Sequence, residues 1–289
     1  LIEKADERAE LLHSMVNYYH PYADVQDFND GEARMSAAMD SYLNGYNDPR
    51  IATYFVAAKS DGKYHGVRCG TGNISSKTSK YAGDGVSRLN VNKSTTPIVW
   101  MTAAESYFLR AEGALRGWNM GGTAEFFYNR GIENADLEDP MITGGNGFYQ
   151  QGLADYMAQE SATEFTYKDP LGSTPDMPSV TKIGVKWNEA DSREVKLEKI
   201  ITQKYIAIFP FSYEAWTDLR RTGYPRLFPV LNPQDGDGSL NDGDLIRRMP
   251  FPGYDDASLL DIQTTGLKAL GGSDQQGTRL WWDIDAPNF

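Results

Sequence analysis

Apolar side chains recur at helical spacing in two neighbouring stretches near the middle of the chain. In the first stretch, residues 103–118, the side chains of Phe108, Ala111 and Leu115 repeat with the period of a helix. The second stretch, residues 121–132, contains small residues that let two helices approach closely. The pattern predicts two helices folded back on each other, as in a tetratricopeptide hairpin, and an ordinary antiparallel helix pair fits it about as well.

Weaker helical patterns occur on both sides of this pair. They predict helices over residues 3–19, 31–43, 149–165, 192–209 and 212–222. Ser192 or Asp191 is expected to cap the fourth of these helices and Pro210 to end it, while Gly223 ends the last one. The polar segment from 59 to 96 and most of the chain beyond Gly223 are predicted to be loop. The expected fold is therefore mainly α, with tetratricopeptide-like helix hairpins and long irregular loops.

Composition and charge narrow the class of protein. The chain has 289 residues, of which 40% are hydrophobic, which is enough for a packed core. It has no apolar run long enough for a transmembrane helix. Forty acidic against 28 basic residues give a formal net charge of −12, which would repel a phosphate backbone, so nucleic acid is not an expected partner. The single Cys69 excludes an intramolecular disulfide.

Four segments, in this order along the chain, are similar to those of one protein family. They are YLNGYNDPR at 42–50, the helical stretch 104–118 with its partner, KIITQKY to EAWTDLRRTGYP at 199–225, and RRMPFP at 247–252 with LWWD at 280–283. Together they resemble the C-terminal part of the SusD/RagB family, the outer-membrane glycan-binding lipoproteins.

The resemblance implies a helical protein that is held by a lipid on the outer face of the outer membrane. Such a protein captures oligo- or polysaccharide without cleaving it, needs no cofactor, and passes the sugar to a SusC-like TonB-dependent transporter. Residues 1–289 are expected to form a single SusD-like domain. The N-terminal tetratricopeptide part and the lipidated cysteine of full-length members are expected to be missing from this chain.

Sugars bind to exposed aromatic rings that cover the apolar face of a pyranose, flanked by side chains that match its hydroxyls. The irregular region upstream of the first hairpin helix contains both kinds of side chain, and in the family this region carries the sugar site. The predicted glycan-binding residues are Tyr54, Tyr64, Arg68, Asn73, Tyr81 and Asp84. Loop tyrosines also commonly pack over their own loop. A second candidate group is Phe148, Tyr149, Tyr167 and Trp187.

Other residue clusters have structural interpretations. Five tryptophans lie in or beside the family segments and are predicted to pack in the core: Trp100, Trp118, Trp216, Trp281 and Trp282. The arginines at 220–221 and 247–248 are predicted to pair with carboxylates such as Asp218 and with helix-end carbonyls. The acidic loop at 235–244 fails the EF-hand spacing and is interpreted as a solvated turn. No metal site is predicted.

Two other functions stay open. One is a tetratricopeptide-type scaffold whose groove binds a protein segment. The other is an all-helical glycoside hydrolase, which would need two carboxylates facing each other across a pocket. The chain contains no nucleophile elbow, zinc-protease helix, phosphate loop or dinucleotide fingerprint, so its motifs give no support to an enzyme.

Overall fold

The computed structural model describes most of the chain. The described residues are 1–13, 19–27, 33–71, 81, 83–92, 95–143, 152–162, 165–233, 237–252 and 255–289. Their helices are α1 Pro21–Asp27, α2 Ala37–Gly45, α3 Arg50–Tyr54, α4 Ala103–Leu115, α5 Ala124–Thr143, α6 Leu153–Met157, α7 Arg193–Ala207, α8 Ser212–Thr222, α9 Asp256–Asp261 and α10 Leu267–Leu270. The fold is mainly α, as predicted.

Short antiparallel strand pairs connect the helices. The strands are β1 Ala9–Leu11, β2 Phe55–Val56, β3 Arg88–Leu89, β4 Ile98–Met101, β5 Thr166–Tyr167 and β6 Met177–Pro178. They pair as β1 with β4, β2 with β3, and β5 with β6. The second pair fixes both ends of the long irregular segment between β2 and β3, which therefore leaves and re-enters the fold at one place.

Helices α4 and α5 pack closely against each other, so the predicted hairpin is confirmed. The Thr102 side chain caps α4 by accepting a hydrogen bond from the backbone N–H of Glu105 at 3.2 Å. Gly131 of α5 lets the helices approach, because a Cβ atom there would lie 2.7 Å from the ring of Phe108. The small residue at this position is thus a requirement of packing.

Helix α7 runs through the core beside the hairpin. Ser192 caps it by accepting from the N–H of Val195, and the helix ends before Pro210, as predicted. Lys204 is only 2% exposed and its Nζ lies 2.9 Å from Oδ2 of Asp218 on α8. Buried charges are stable when they are paired, so this ion pair fixes α8 against α7.

The YLNGYNDPR segment forms the end of α2 and the turn into α3. Arg50 is 1% exposed, and its Nη2 lies 2.6 Å from Oδ2 of Asp48 and 3.0 Å from the hydroxyl of Tyr156. That hydroxyl also donates to Oε1 of Gln203 at 2.9 Å. The turn is therefore joined to α6 and α7 by one buried polar network, which explains why this segment needs both an Asp and an Arg.

Three of the predicted elements differ from the structure. Residues 3–13 form a 3₁₀ turn and strand β1, which pairs with β4, where a helix over 3–19 was predicted. The predicted helix over 149–165 is limited to α6 among the described residues. The region from 256 to 270 is helical, although loop was predicted, and Asp255 caps it by accepting from the N–H of Ser258. None of its residues is buried, which explains its weak hydrophobic pattern.

Candidate functional site

A cleft of about 500 Å³ opens beside Tyr64. We call it the Tyr64 cleft. Helix α2, the loop after β2 and strand β5 with its flanking residues form its walls. The lining residues are Asp40, Asn44, Gly62, Lys63, Tyr64, His65, Phe165, Thr166 and Lys168. The volume lies in the range of small-molecule sites, and the walls combine two aromatic rings with amide, ammonium and hydroxyl groups.

The loop that carries Tyr64 is tied to the core at Gly66. The backbone N–H of Gly66 donates to Oδ2 of Asp40 at 2.8 Å, and its carbonyl accepts from the Tyr167 hydroxyl at 3.2 Å. A Cβ atom at this position would lie 2.5 Å from the carbonyl oxygen of Ser36, so only glycine allows this approach. The cleft is therefore shaped before any ligand arrives.

A second set of bonds fixes the neighbouring His65. Its backbone N–H donates to Oγ of Ser87 at 3.0 Å, and its carbonyl accepts from the Ser87 N–H at the same distance. The ring Nε2 lies 2.9 Å from Oδ2 of Asp61. The hydrogen bond from His65 holds the pKa of the Asp61 carboxyl below its usual value. The side chains at the mouth of the cleft are thus ordered by the fold.

Asp40 is the buried acid of the cleft. Its carboxylate accepts from Gly66 and, through Oδ1, from the side-chain amide of Asn44 at 2.6 Å. Burial nevertheless raises the pKa of this carboxyl from 3.8 to about 6, because desolvation disfavours the charged form more than the two hydrogen bonds favour it. The state of Asp40 is therefore sensitive to mildly acidic pH.

The two other predicted aromatic residues, Tyr54 and Tyr81, do not line the Tyr64 cleft. Tyr54 lies away from the Tyr64 cleft; its hydroxyl donates to the carbonyl of Ile206 at 3.0 Å, and its ring lines a separate cavity. Tyr81 is only 6% exposed and its hydroxyl donates to Oδ2 of Asp169 at 2.7 Å. The prediction that Tyr81 presents an exposed ring is wrong, because the ring packs among apolar residues and its hydroxyl has a buried partner.

The predicted polar residues also lie at different places in the structure. Arg68 is 6% exposed, and its Nη2 donates to the carbonyl of Pro229 at 2.7 Å, so its predicted exposure is wrong. Asp84 is exposed, 3.6 Å from Nζ of Lys59, and it does not line the Tyr64 cleft. Asn73 lies outside the described residues. Of the five predicted residues that the structure describes, Tyr64 alone lies on the walls of this cleft.

Other aromatic side chains also differ from expectation. Three of the tryptophans predicted to be buried are exposed: Trp100 at 66%, Trp118 at 63% and Trp281 at 87%. Trp216 and Trp282 are partly buried and stack on Arg220, whose Cζ lies 3.6 and 4.7 Å from the two ring centroids. In the second candidate group, Tyr167 and Trp187 are buried, and Phe148 and Tyr149 lie outside the described residues.

The paired arginines fulfil the structural prediction. Arg221 pairs with Glu112 and Asp218, and Arg247 lies 3.3 Å from Asp283. Nη1 of Arg220 donates to the carbonyl of Arg247 at 2.7 Å. Across the described residues, no group of three His, Cys, Asp or Glu side chains is placed to hold a metal ion.

The cleft also contains residues that the sequence patterns did not indicate. Thr166 lies on strand β5 and Phe165 and Lys168 flank it, about a hundred residues after Tyr64 along the chain. Asp40 and Asn44 lie on α2, where the helical pattern gives no sign of a cleft. No local signal could have joined these segments, because their proximity is a property of the tertiary fold.

Comparison with known proteins identifies the family. The family model described as SusD-like, Susd and RagB outer membrane lipoprotein, matches residues 1–283. The chain belongs to the SusD-like family. None of the curated proteins matches this SusD-like chain.

Solved structures of SusD homologues share the fold. A chitin-binding SusD homologue from Flavobacterium johnsoniae is 40% identical, with a TM-score of 0.85, and the alignment covers 100% of this chain and 57% of that one. A homologue from Bacteroides thetaiotaomicron is 36% identical, with a TM-score of 0.82 and coverage of 99% and 58%. One from Bacteroides uniformis is 34% identical, with a TM-score of 0.79 and coverage of 99% and 57%.

The SusD-like chain therefore spans somewhat more than half the length of these relatives. Among its described helices, none has both the length and the apolar character that crossing a membrane requires.

Proposed function

We propose that this SusD-like chain binds oligo- or polysaccharide in the Tyr64 cleft without cleaving it. The observation that carries the proposal is an ordered aromatic ring on the wall of a cleft of about 500 Å³ whose other walls offer amide, hydroxyl and ammonium groups. Aromatic rings cover the apolar C–H face of a sugar, and such polar groups match its hydroxyls. The similarity to a chitin-binding SusD homologue supports the same conclusion.

The polar walls suit recognition better than catalysis. Lys63 and Lys168 donate hydrogen bonds, while Thr166 and Asn44 can donate and accept them. Glycoside hydrolysis needs two carboxyl groups that flank the bond, whereas Asp40 is the single carboxylate among the described lining residues. Both oxygens of Asp40 already accept hydrogen bonds from the protein. This arrangement supports a binding role rather than the hydrolase alternative.

A single sugar unit in a shallow cleft binds weakly, and a polymer gains affinity because neighbouring units rebind along its length. We place the protein at the outer face of the outer membrane, where a lipid anchor would hold it. There it delivers glycan to a SusC-like TonB-dependent transporter. Family membership supports this location, since the family is one of outer membrane lipoproteins.

Affinity electrophoresis of the chain in gels that contain single soluble polysaccharides tests the proposal. We expect at least one polysaccharide to retard the chain and Tyr64→Ala to lose most of that retardation. Tyr213→Ala is the matched control, because Tyr213 is 79% exposed on α8 and does not line the cleft. Retardation that survives Tyr64→Ala in a variant of unchanged melting temperature would remove the site. The absence of retardation by every polysaccharide, with capture of a peptide instead, would favour the scaffold alternative.

A further inference from the structure

A second cavity, of about 210 Å³, lies beside Tyr54 at the end of α3. We call it the Tyr54 cavity. It shares no lining residue with the Tyr64 cleft. Its inner wall comes from the ends of α3 and α7, and its mouth comes from residues 90–92 and 95–97, between β3 and β4. The proposed function leaves this cavity without a role.

The walls of the Tyr54 cavity carry no fixed charge. Among the described lining residues there is no Asp, Glu, Lys or Arg. His20 is 5% exposed, and burial lowers the pKa of its imidazole, which disfavours the charged form. A carboxylate, sulfate, phosphate or ammonium group would lose its hydration here without gaining a partner. The described walls therefore offer an ionised group no partner of opposite charge.

The inner wall is aromatic and rigid. The rings of Tyr54 and Phe209 line the cavity with centroids 4.8 Å apart. The buried Phe55 does not line the cavity, and its ring centroid lies 5.0 Å from that of Phe209. The Tyr54 hydroxyl is already engaged by the carbonyl of Ile206. These rings consequently offer an apolar surface that does not have to reorganise when a ligand binds.

The mouth is polar in contrast. Asn90, Asn92 and Thr95 are exposed there, and Thr96 is partly buried beside them. Local hydrogen bonds hold these residues: the Asn90 side-chain amide donates to the carbonyl of Thr53 at 3.0 Å, and the Thr95 N–H donates to Oδ1 of Asn92 at 3.1 Å. An uncharged ligand that is apolar at one end and hydrogen-bonding at the other matches this gradient.

Size restricts the ligand further. Sites for whole small molecules usually exceed about 300 Å³, so this cavity fits a substituent rather than an oligosaccharide. A hydroxyl-covered sugar ring placed fully inside would leave hydroxyls unpaired against aromatic walls, which is costly. An acetamido group has a methyl for the apolar interior and an amide for the polar mouth.

We propose that the Tyr54 cavity binds the acetamido substituent of a neutral N-acetylated sugar, whose ring stays at the mouth beside Asn90 and Thr95. This inference rests on the proposed glycan binding and extends it to a ligand class, the N-acetylated glycans. Burying a methyl and pairing one amide contribute about 1.4 kcal/mol together, which corresponds to about tenfold in affinity.

Calorimetric titration of the chain with three hexasaccharides tests this proposal. The probes are the β-1,4-linked hexamers of N-acetylglucosamine, of glucosamine and of glucose. We expect the N-acetylated hexamer to bind about tenfold more tightly than the glucose hexamer. The glucosamine hexamer carries charged amines, for which the described walls provide no counter-charge. The cavity should therefore add nothing to the affinity of this hexamer. Equal affinity for the N-acetylated and glucose hexamers would overturn the proposal.

A variant that fills the Tyr54 cavity tests whether the preference for the N-acetylated hexamer arises there. Ala207→Leu adds bulk at a wall position of the Tyr54 cavity and leaves the Tyr64 cleft unchanged. We expect this variant to bind the N-acetylated and glucose hexamers with about equal affinity, while binding of the glucose hexamer persists. A preference unchanged in a folded Ala207→Leu variant would overturn the assignment. The comparison of the N-acetylated and glucose hexamers on the unmodified chain tests the proposal independently of this variant. If some polysaccharides bind and N-acetylation has no effect, this inference alone fails; if none binds, the proposed function fails.

Discussion

The buried carboxyl of Asp40 yields a quantitative prediction at the candidate site. Asp40 is 3% exposed and ties the Tyr64 loop to α2 by accepting from the N–H of Gly66 at 2.8 Å. Its pKa in the folded protein is about 6, against an ordinary value of 3.8. Asp40→Asn keeps an acceptor for Gly66 and removes the titratable proton, so it isolates the energetic cost of the charge.

The direction in which the unfolding free energy changes with pH follows from proton linkage. Because the folded protein binds the Asp40 proton more tightly than the unfolded chain does, this stabilising contribution is fully present below the unfolded pKa of 3.8 and is lost as pH rises through about 6. The difference between the two pKa values corresponds to about 3 kcal/mol of unfolding free energy. The asparagine variant does not lose this energy, since it is neutral throughout.

Urea denaturation of both proteins from pH 4 to pH 7 measures the effect. The other carboxyl groups titrate equally in the two proteins, so the difference in unfolding free energy isolates Asp40. Between pH 4 and pH 7 we expect the unfolding free energy of Asp40→Asn to gain about 2 kcal/mol relative to that of the unmodified chain, because part of the full difference is already lost at pH 4, just above the unfolded pKa of 3.8. Any fixed cost, such as reorientation of the Asn44 amide, does not vary with pH. A difference that stays constant across this range would refute the reasoning.

Two further predictions concern buried polar groups. Lys204→Ala removes the cation that lies 2.9 Å from Asp218 and 3.6 Å from Glu105. Among the described residues, this leaves Asp218 paired with Arg221 alone. We expect a loss of about 3 kcal/mol in urea denaturation; a loss below about 1 kcal/mol would show that water replaces the ammonium group. Tyr81→Phe removes the hydroxyl that donates to Asp169 and should lower the unfolding free energy by about 1–3 kcal/mol without changing glycan retention. Reduced glycan retention in that variant would indicate that Tyr81 takes part in glycan binding.

Local rules predicted those parts of the fold that depend on local interactions. The hairpin was predicted from its apolar period and its small residues, among them Gly131, which contacts the ring of Phe108. The sequence predicts Ser192 or Asp191 as the cap of α7, and Ser192 is the one that caps it. It also predicts the end of α8 at Gly223, which adopts a φ of 76°. Each of these signals acts within a few residues, so a single sequence contains it.

The errors arose where distant segments meet. Residues 9–11 form a strand because β4, some ninety residues later, pairs with them. Arg68 and Tyr81 are buried because Pro229 and Asp169 supply their hydrogen-bond partners. In an irregular loop there is no period from which such contacts can be inferred. Tyr64 lies beside polar groups in the cleft, of which Thr166 and Lys168 have no local signal in the sequence; its contact with glycan stays a prediction.

Hydrogen–deuterium exchange in the presence of the most strongly retained oligosaccharide tests glycan binding in the Tyr64 cleft most directly. We predict ligand-induced protection of the backbone amides of residues 62–66 and 165–168, which line or support that cleft, while the exposed helix α9 exchanges as in the free chain. Protection confined to the groove of the α4–α5 hairpin, with unchanged exchange at residues 62–66, would contradict the account.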